Sequence, residues 1–209
     1  AADLGNLTTI HIVETLSWGD AGAYLIDPAL RPDIILMEIM QACLEAEPQV
    51  AVTRHLLPQA PDAILIPEEV RIDLLLVNPS REFSLDGSEE RDISGRRDRY
   101  FVGTAFALNR ENLESWQNHS DGQLPGSTLR IPDAARTEQQ QFLFTHVRVF
   151  GNHSLGNYDS GLTAPRLLKT ETPVCPGDSV RFEYVLGQRP HLLAIAGVDK
   201  GLLLIGDRL

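Results

Sequence analysis

The chain has 209 residues, 43% apolar and 22% charged, with a formal charge of −11. That length buries a substantial core, as one large domain or two small ones. The acidic balance argues against a phosphate-neutralising nucleic-acid surface, and no run nears the roughly 18 apolar residues of a membrane helix. No basic-then-apolar leader is visible at the N-terminus, and the start at Ala1-Ala2-Asp3 without Met leaves a trimmed leader open. Thr8 to Leu16 is β-branched and alternating and predicts a strand. Ser17 to Gly22 reads as a turn, with Trp18 placed to cap a pocket.

The stretch Arg31-Pro32-Asp33-Ile34-Ile35-Leu36-Met37-Glu38-Ile39-Met40-Gln41-Ala42 is the most informative in the chain. Pro32 suits a first helical turn and Asp33 sets negative charge at its positive end. The pattern predicts a helix from Asp33 to about Glu47, stopped by Pro48. That helix would be apolar on nearly every side, with Glu38 in its middle. An unpaired buried carboxylate is costly, so Glu38 either turns to water or is held inside for a purpose.

Strands are predicted at Ala63 to Ile66 and Glu69 to Val77, the second alternating through Val70, Ile72, Leu74 and Leu76. Arg81 to Leu85 and Arg99 to Leu108 follow as strands around a polar loop, whose Arg91 to Arg99 patch is offset by Glu89, Glu90, Asp92 and Asp98. Asn109 to Asn118 reads as a short helix. His119 to Gln140, with Gly122, Pro125, Gly126 and Pro132, reads as a loop and marks a boundary. The organisation expected is a unit over 1–118, a linker over 119–140, and a strand-rich 141–209 that is a second unit or a continuation of the same sheet. In the last part, Phe142, Phe144, His146, Arg148 and Phe150 share one side of a strand; Leu143, Thr145, Val147 and Val149 share the other. Leu167 to Thr172, Val180 to Leu186, Leu192 to Val198 and Leu202 to Ile205 complete the strands. One early helix among many short strands implies an α+β fold, a curved antiparallel sheet around one central helix.

Thr172-Pro173-Val174-Cys175-Pro176-Gly177-Asp178-Ser179-Val180-Arg181-Phe182 is a Pro-Gly-Asp turn feeding an alternating strand, and Val77 to Leu85 echoes it faintly. Cys43 and Cys175 are too few for a disulfide framework or a thiolate zinc site, and a reducing cytoplasm is the expected location. His146 and His153 lack a third ligand at suitable spacing, so no metal is expected. Gly151 to Asp159 has the wrong spacing for a serine nucleophile elbow. The Pro-Asp-Ile-Ile-Leu-Met string of receiver domains is present, but Glu38 stands where they have a phosphorylated aspartate.

Pro32 to Ala42 resembles the central helix of hotdog-fold proteins, above all the 3-hydroxyacyl-carrier-protein dehydratases, with Glu38 at the place of the family glutamate. Pro173 to Phe182 is similar to the same family's Pro-Val-x-Pro-Gly-Asp turn, and Gly197 to Gly201 matches its last hairpin. The two pieces lie about 130 residues apart, which implies one unit with an insertion or two fused units. The resemblance implies binding or conversion of an acyl thioester, on acyl-carrier protein or coenzyme A, without cofactor and in a homodimer. Glu38 would be the acid. Asp33 and Ile34 would present a helix N-terminus to the thioester carbonyl. The family's histidine before the helix has no counterpart in Tyr24-Leu25-Ile26-Asp27-Pro28, so Asp20, Asp27 or Tyr24 would replace it. The alternative is a non-catalytic structural or interaction protein that keeps the fold.

Overall fold

The structure is a computed structural model that describes residues 12, 14–83, 99–119 and 122–197, apart from the side chain of Trp18. In chain order its elements are α1 (Trp18–Ala21), β1 (Ile34–Leu36), α2 (Gln49–Leu56), β2 (Ile64–Ile66), β3 (Glu69–Val77), α3 (Pro79–Glu82), β4 (Arg99–Asn109), α4 (Arg110–Ser115), β5 (Gln123–Arg130), β6 (Gln140–Phe150), β7 (His153–Leu155), β8 (Arg166–Leu167), β9 (Ser179–Val185) and β10 (His191–Ala196). Five strands form an antiparallel sheet in the order β4-β3-β6-β7, with β8 also on β6. Strands β10, β9 and β5 form a second antiparallel sheet, and β1 pairs with β2 in parallel. The described residues therefore form a mixed fold, mostly antiparallel, with few helices and no closed barrel.

Strand β3 organises the molecule because both its faces are covered. Val70, Ile72, Leu74 and Leu76 point into the main core with Phe106, Phe182 and Tyr184. Leu75 and Val77 point the other way, onto Phe142 and Phe144 of β6. The alternation of β6 expected from sequence is thus realised, with Leu143 and Val147 in the main core and Phe142 and Phe144 behind it. Burial on both sides explains why β3 is nearly continuously apolar from Ile72 onward, broken only by Asp73.

The two sheets meet along β5. A Cβ on Gly126 would stand 2.7 Å from the Ala105 carbonyl oxygen and 2.8 Å from that of Phe182, so only glycine lets the β5 backbone pass between β4 and β9. Phe106 stacks on Trp116 and on Tyr184, each at 5.0 Å between ring centroids, which ties the end of α4 to both sheets. Arg54 clamps the same end by donating from Nη2 to the carbonyls of Trp116 and His119. A cation at these carbonyls satisfies acceptors that the helix itself leaves open.

Several expectations need correction. Asp33 to Glu47 is not a helix: Ile34–Leu36 is β1, a coil follows, and Ala42–Leu44 is a short 3-10 turn. Apolar periodicity cannot separate a buried helix from a buried strand, and here tertiary partners decide. Ile34, Ile35 and Leu36 pair with Ile64, Leu65 and Ile66, and the Met37 amide donates to the Ile66 carbonyl at 2.8 Å. With 33–47 not helical, the described residues do not show the expected curved sheet around that helix. Arg81 and Glu82 lie in α3, begun by Pro79 and capped by the Asn78 side chain. The stretch 119–140 contains β5, and of the strand expected over Leu167 to Thr172 only Leu167 is in strand, as the end of β8. Ser17 to Gly22 holds the single turn α1. The expected strands at Thr8 to Leu16 and Leu202 to Ile205, the 91–98 part of the arginine patch and the end of the hairpin at Gly197 fall wholly or mainly outside the described residues.

Candidate functional site

The extended backbone at β1 fixes where Glu38 goes. Ile35 and Met37 are buried, so Leu36 and Glu38 point outward into solvent. Glu38 is exposed and has no hydrogen-bond or ion-pair partner among the described residues. Met37 is anchored instead, its Sδ accepting from Thr53 Oγ1 of α2 at 2.9 Å.

The other nominated residues are positioned by ordinary turn chemistry. Asp27 is exposed and its Oδ1 accepts from the Ala29 amide at 2.8 Å, an Asx turn. Tyr24 is half-buried, and its carbonyl accepts from Nε2 of His55 at 2.7 Å and from Nε2 of Gln59 at 3.2 Å. Gln59 also accepts from the Ile26 amide, so α2 and the turn after it hold segment 24–26 in place. Asp20 is exposed and accepts from the Ser17 hydroxyl. Asp33 is exposed and its carbonyl accepts from the Ile64 amide, while Ile34 is half-buried in β1. Asp33 and Ile34 therefore present no helix N-terminus to a ligand. The backbone of Trp18 sits in α1, and its side chain lies outside the described residues. No described hydrogen bond or ion pair joins Glu38 to Asp27 or Tyr24.

The two sequence pieces that carried the resemblance nevertheless lead into residues that meet, Leu44 and Tyr184. The Pro-Gly-Asp turn forms as expected: the Cys175 amide donates to Asp178 Oδ2 at 3.0 Å, and Gly177 takes a positive φ of 84°. The turn launches β9, whose buried Tyr184 donates its hydroxyl to the Leu44 carbonyl at 2.7 Å across 140 residues of sequence. Beside it, the Cys43 amide donates to Thr145 Oγ1 of β6 at 2.8 Å. Burial and the charge of Glu45 push the Tyr184 hydroxyl well above the usual tyrosine range.

Cys43 is fully buried, and burial, opposed by its bond to Thr145, raises the thiol from 9.0 to about 11. This is an inert core sulfur rather than a nucleophile. A thiol reagent should label exposed Cys175 at once and Cys43 only on unfolding. The unfolded thiol ionises near its ordinary value while the folded one holds its proton. The stability this lends is complete below about pH 9 and is lost as pH rises toward 11. Denaturant midpoints across that window should fall more steeply for the native chain than for Cys43→Ala.

Sequence reasoning missed the most developed polar cluster, which lies on the outer face of the main sheet. Glu82, its side chain 1% exposed, receives two bonds from Arg99 and one from the Tyr158 hydroxyl. The Arg99 guanidinium also lies over the rings of Phe144 and Tyr158, at 4.9 and 5.8 Å from their centroids. Burial alone would lower the Arg99 pKa, but the bonds and charge of Glu82, with Tyr158, outweigh it and raise it. Nearby, buried Asp73 accepts both Arg71 Nε and the Thr104 hydroxyl. These are satisfied structural networks with no open coordination or reactive group. Among the described residues no three His, Cys, Asp or Glu side chains gather as a metal site.

One shallow groove lies between α2 and α4, walled by Leu57, Pro58, Pro61 and Leu113 and flanked by Arg54 and Arg110. Both guanidiniums are spent on backbone carbonyls, Arg110 bonding Pro61 at 2.6 Å and Ala63 at 2.5 Å. None of the nominated site residues lines this groove. No described helix is long and apolar enough to cross a membrane. No family model matches the chain, and no curated protein matches it significantly.

Proposed function

We propose that the chain binds an acyl thioester, on acyl-carrier protein or coenzyme A, through a divergent hotdog-related fold. The Tyr184–Leu44 hydrogen bond carries this reading, because it joins residues two positions beyond each of the motif segments Pro32 to Ala42 and Pro173 to Phe182, which are far apart in sequence. Conversion of the thioester needs an acid, and Glu38 is the residue in the family position. The fold would act as a homodimer, for which the edge of β4, unpaired among the described residues, and the exposed Tyr100 and Phe101 on it offer a surface. Two free thiols fit a reducing compartment such as the cytoplasm.

A second reading is a non-catalytic interaction protein. The exposure of Glu38, Asp27 and Asp33 favours it, since carboxylates open to water are poorly placed for acid–base work. Glu38→Gln separates the readings. Its Tm should match that of the native chain, as for other exposed substitutions. Turnover of a 3-hydroxyacyl-pantetheine thioester should fall by ~10²–10⁴-fold. Unchanged turnover would remove Glu38 as the acid. A native chain that neither binds nor turns over the thioester would leave the interaction reading.

A further inference from the structure

We propose that residues 34–46 are a two-state segment, alternating between the strand-and-turn form described above and an amphipathic helix. The strand-and-turn form carries visible costs. Cys43, Leu44 and Ala46 all have positive φ, at 60°, 56° and 65°, a conformation that side chains with a Cβ rarely adopt. Three such residues within four positions, none of them glycine, is strain of a kind that surrounding structure must hold in place. Leu36 is also left 72% exposed.

A helix over the same residues relieves both costs. Leu36, Met37, Met40, Gln41, Ala42, Leu44 and Glu45 are good helix formers. At about 100° per residue, Glu38, Gln41 and Glu45 fall on one narrow polar stripe, and Leu36 falls on the opposite, apolar side. The present form is held by the pairing of β1 with β2 and by the bond from the Cys43 amide to Thr145. A helix gives up these interactions.

One contact survives in both forms. In a helix the Leu44 carbonyl would look for the amide of residue 48, but Pro48 has none. Leu44 can therefore keep accepting from Tyr184, which acts as the pivot about which the segment before it refolds. The consequence is a change in the setting of Glu38: exposed in the coil after β1 in one form, flanked by Gln41 and Glu45 in the other. This inference concerns the free chain and does not depend on the thioester reading.

Ala46→Gly tests it. Ala46 is exposed, so the change removes no core packing. Glycine accepts φ near 65° without strain and disfavours helix, so it biases the segment toward the strand-and-turn form by roughly 5–30-fold. Relaxation-dispersion NMR on the full chain should show two-site exchange at the amides of 34–46, with helical Cα shifts in one state and extended shifts in the other. In Ala46→Gly the helical population should fall by that factor, and Tm should rise. Flat dispersion across these amides in the native chain would overturn the proposal. So would exchange between two extended states, or an Ala46→Gly variant in which the helical population does not fall.

Discussion

Arg99→Met should destabilise the chain by ~3–5 kcal/mol, as expected when one partner of a buried ion pair is removed. The Arg99 side chain is 18% exposed and that of Glu82 only 1%, so solvent cannot replace the lost bonds. Methionine keeps the length and apolar contact with Phe144 and Tyr158 but leaves the Glu82 carboxylate without its two-point partner. Urea unfolding with an unchanged slope would report the loss directly. The paired variant Arg99→Met with Glu82→Leu should recover most of it, because replacing both members by apolar groups is often near neutral. A single variant within 1 kcal/mol of the native chain would show that the cluster contributes little.

Phe106→Ala is expected to cost a similar ~3–5 kcal/mol, the usual range for deleting a buried aromatic ring. Phe106 is 2% exposed and fills the space between Trp116 and Tyr184. Its removal opens a cavity where α4 joins the two sheets. In a Trp18→Phe background Trp116 is the only indole, since the chain has two tryptophans. Its emission should shift to the red as water reaches the cavity. An unshifted spectrum with native stability would mean that the neighbouring rings close over the gap.

Strands were readable from sequence where one face differs from the other or where a turn residue marks the end. Glu69 to Val77 appears in the structure with the expected bounds, and β4, β6, β9 and β10 lie within a residue or two of expectation. The short helix after Asn109 was readable because its cap is local: the Asn109 side chain accepts from the Asn112 amide at 2.9 Å. Strand β5 was not, because Pro125 and Gly126 signal a loop by composition. The need for glycine there comes from two carbonyls, of Ala105 and Phe182, that sequence order does not place beside it.

The segment after Pro32 failed for a related reason. Its residues favour a helix, and the partners that prevail over that preference come from β2, Thr145 and Tyr184. The Glu82–Arg99–Tyr158 cluster left no local trace either. Register pairing of Val77 with Arg99 brings the first two together, and Tyr158 arrives from a loop 76 residues beyond Glu82. Such clusters follow from topology, and a single sequence shows only their isolated members.

The place of β3 between β4 and β6 has a consequence for synthesis. A chain emerging from the ribosome completes β3 at residue 77, gains β4 by residue 109 and gains β6 only at residue 150. Until then one edge of its most apolar strand has no partner, and open edges of that kind invite pairing with other chains. The Leu44 carbonyl waits longer still, for Tyr184. Folding that depends on such distant pairings is slow. A fragment ending at residue 118 should therefore collect as aggregate, whereas the same residues in the full chain become the centre of the main sheet.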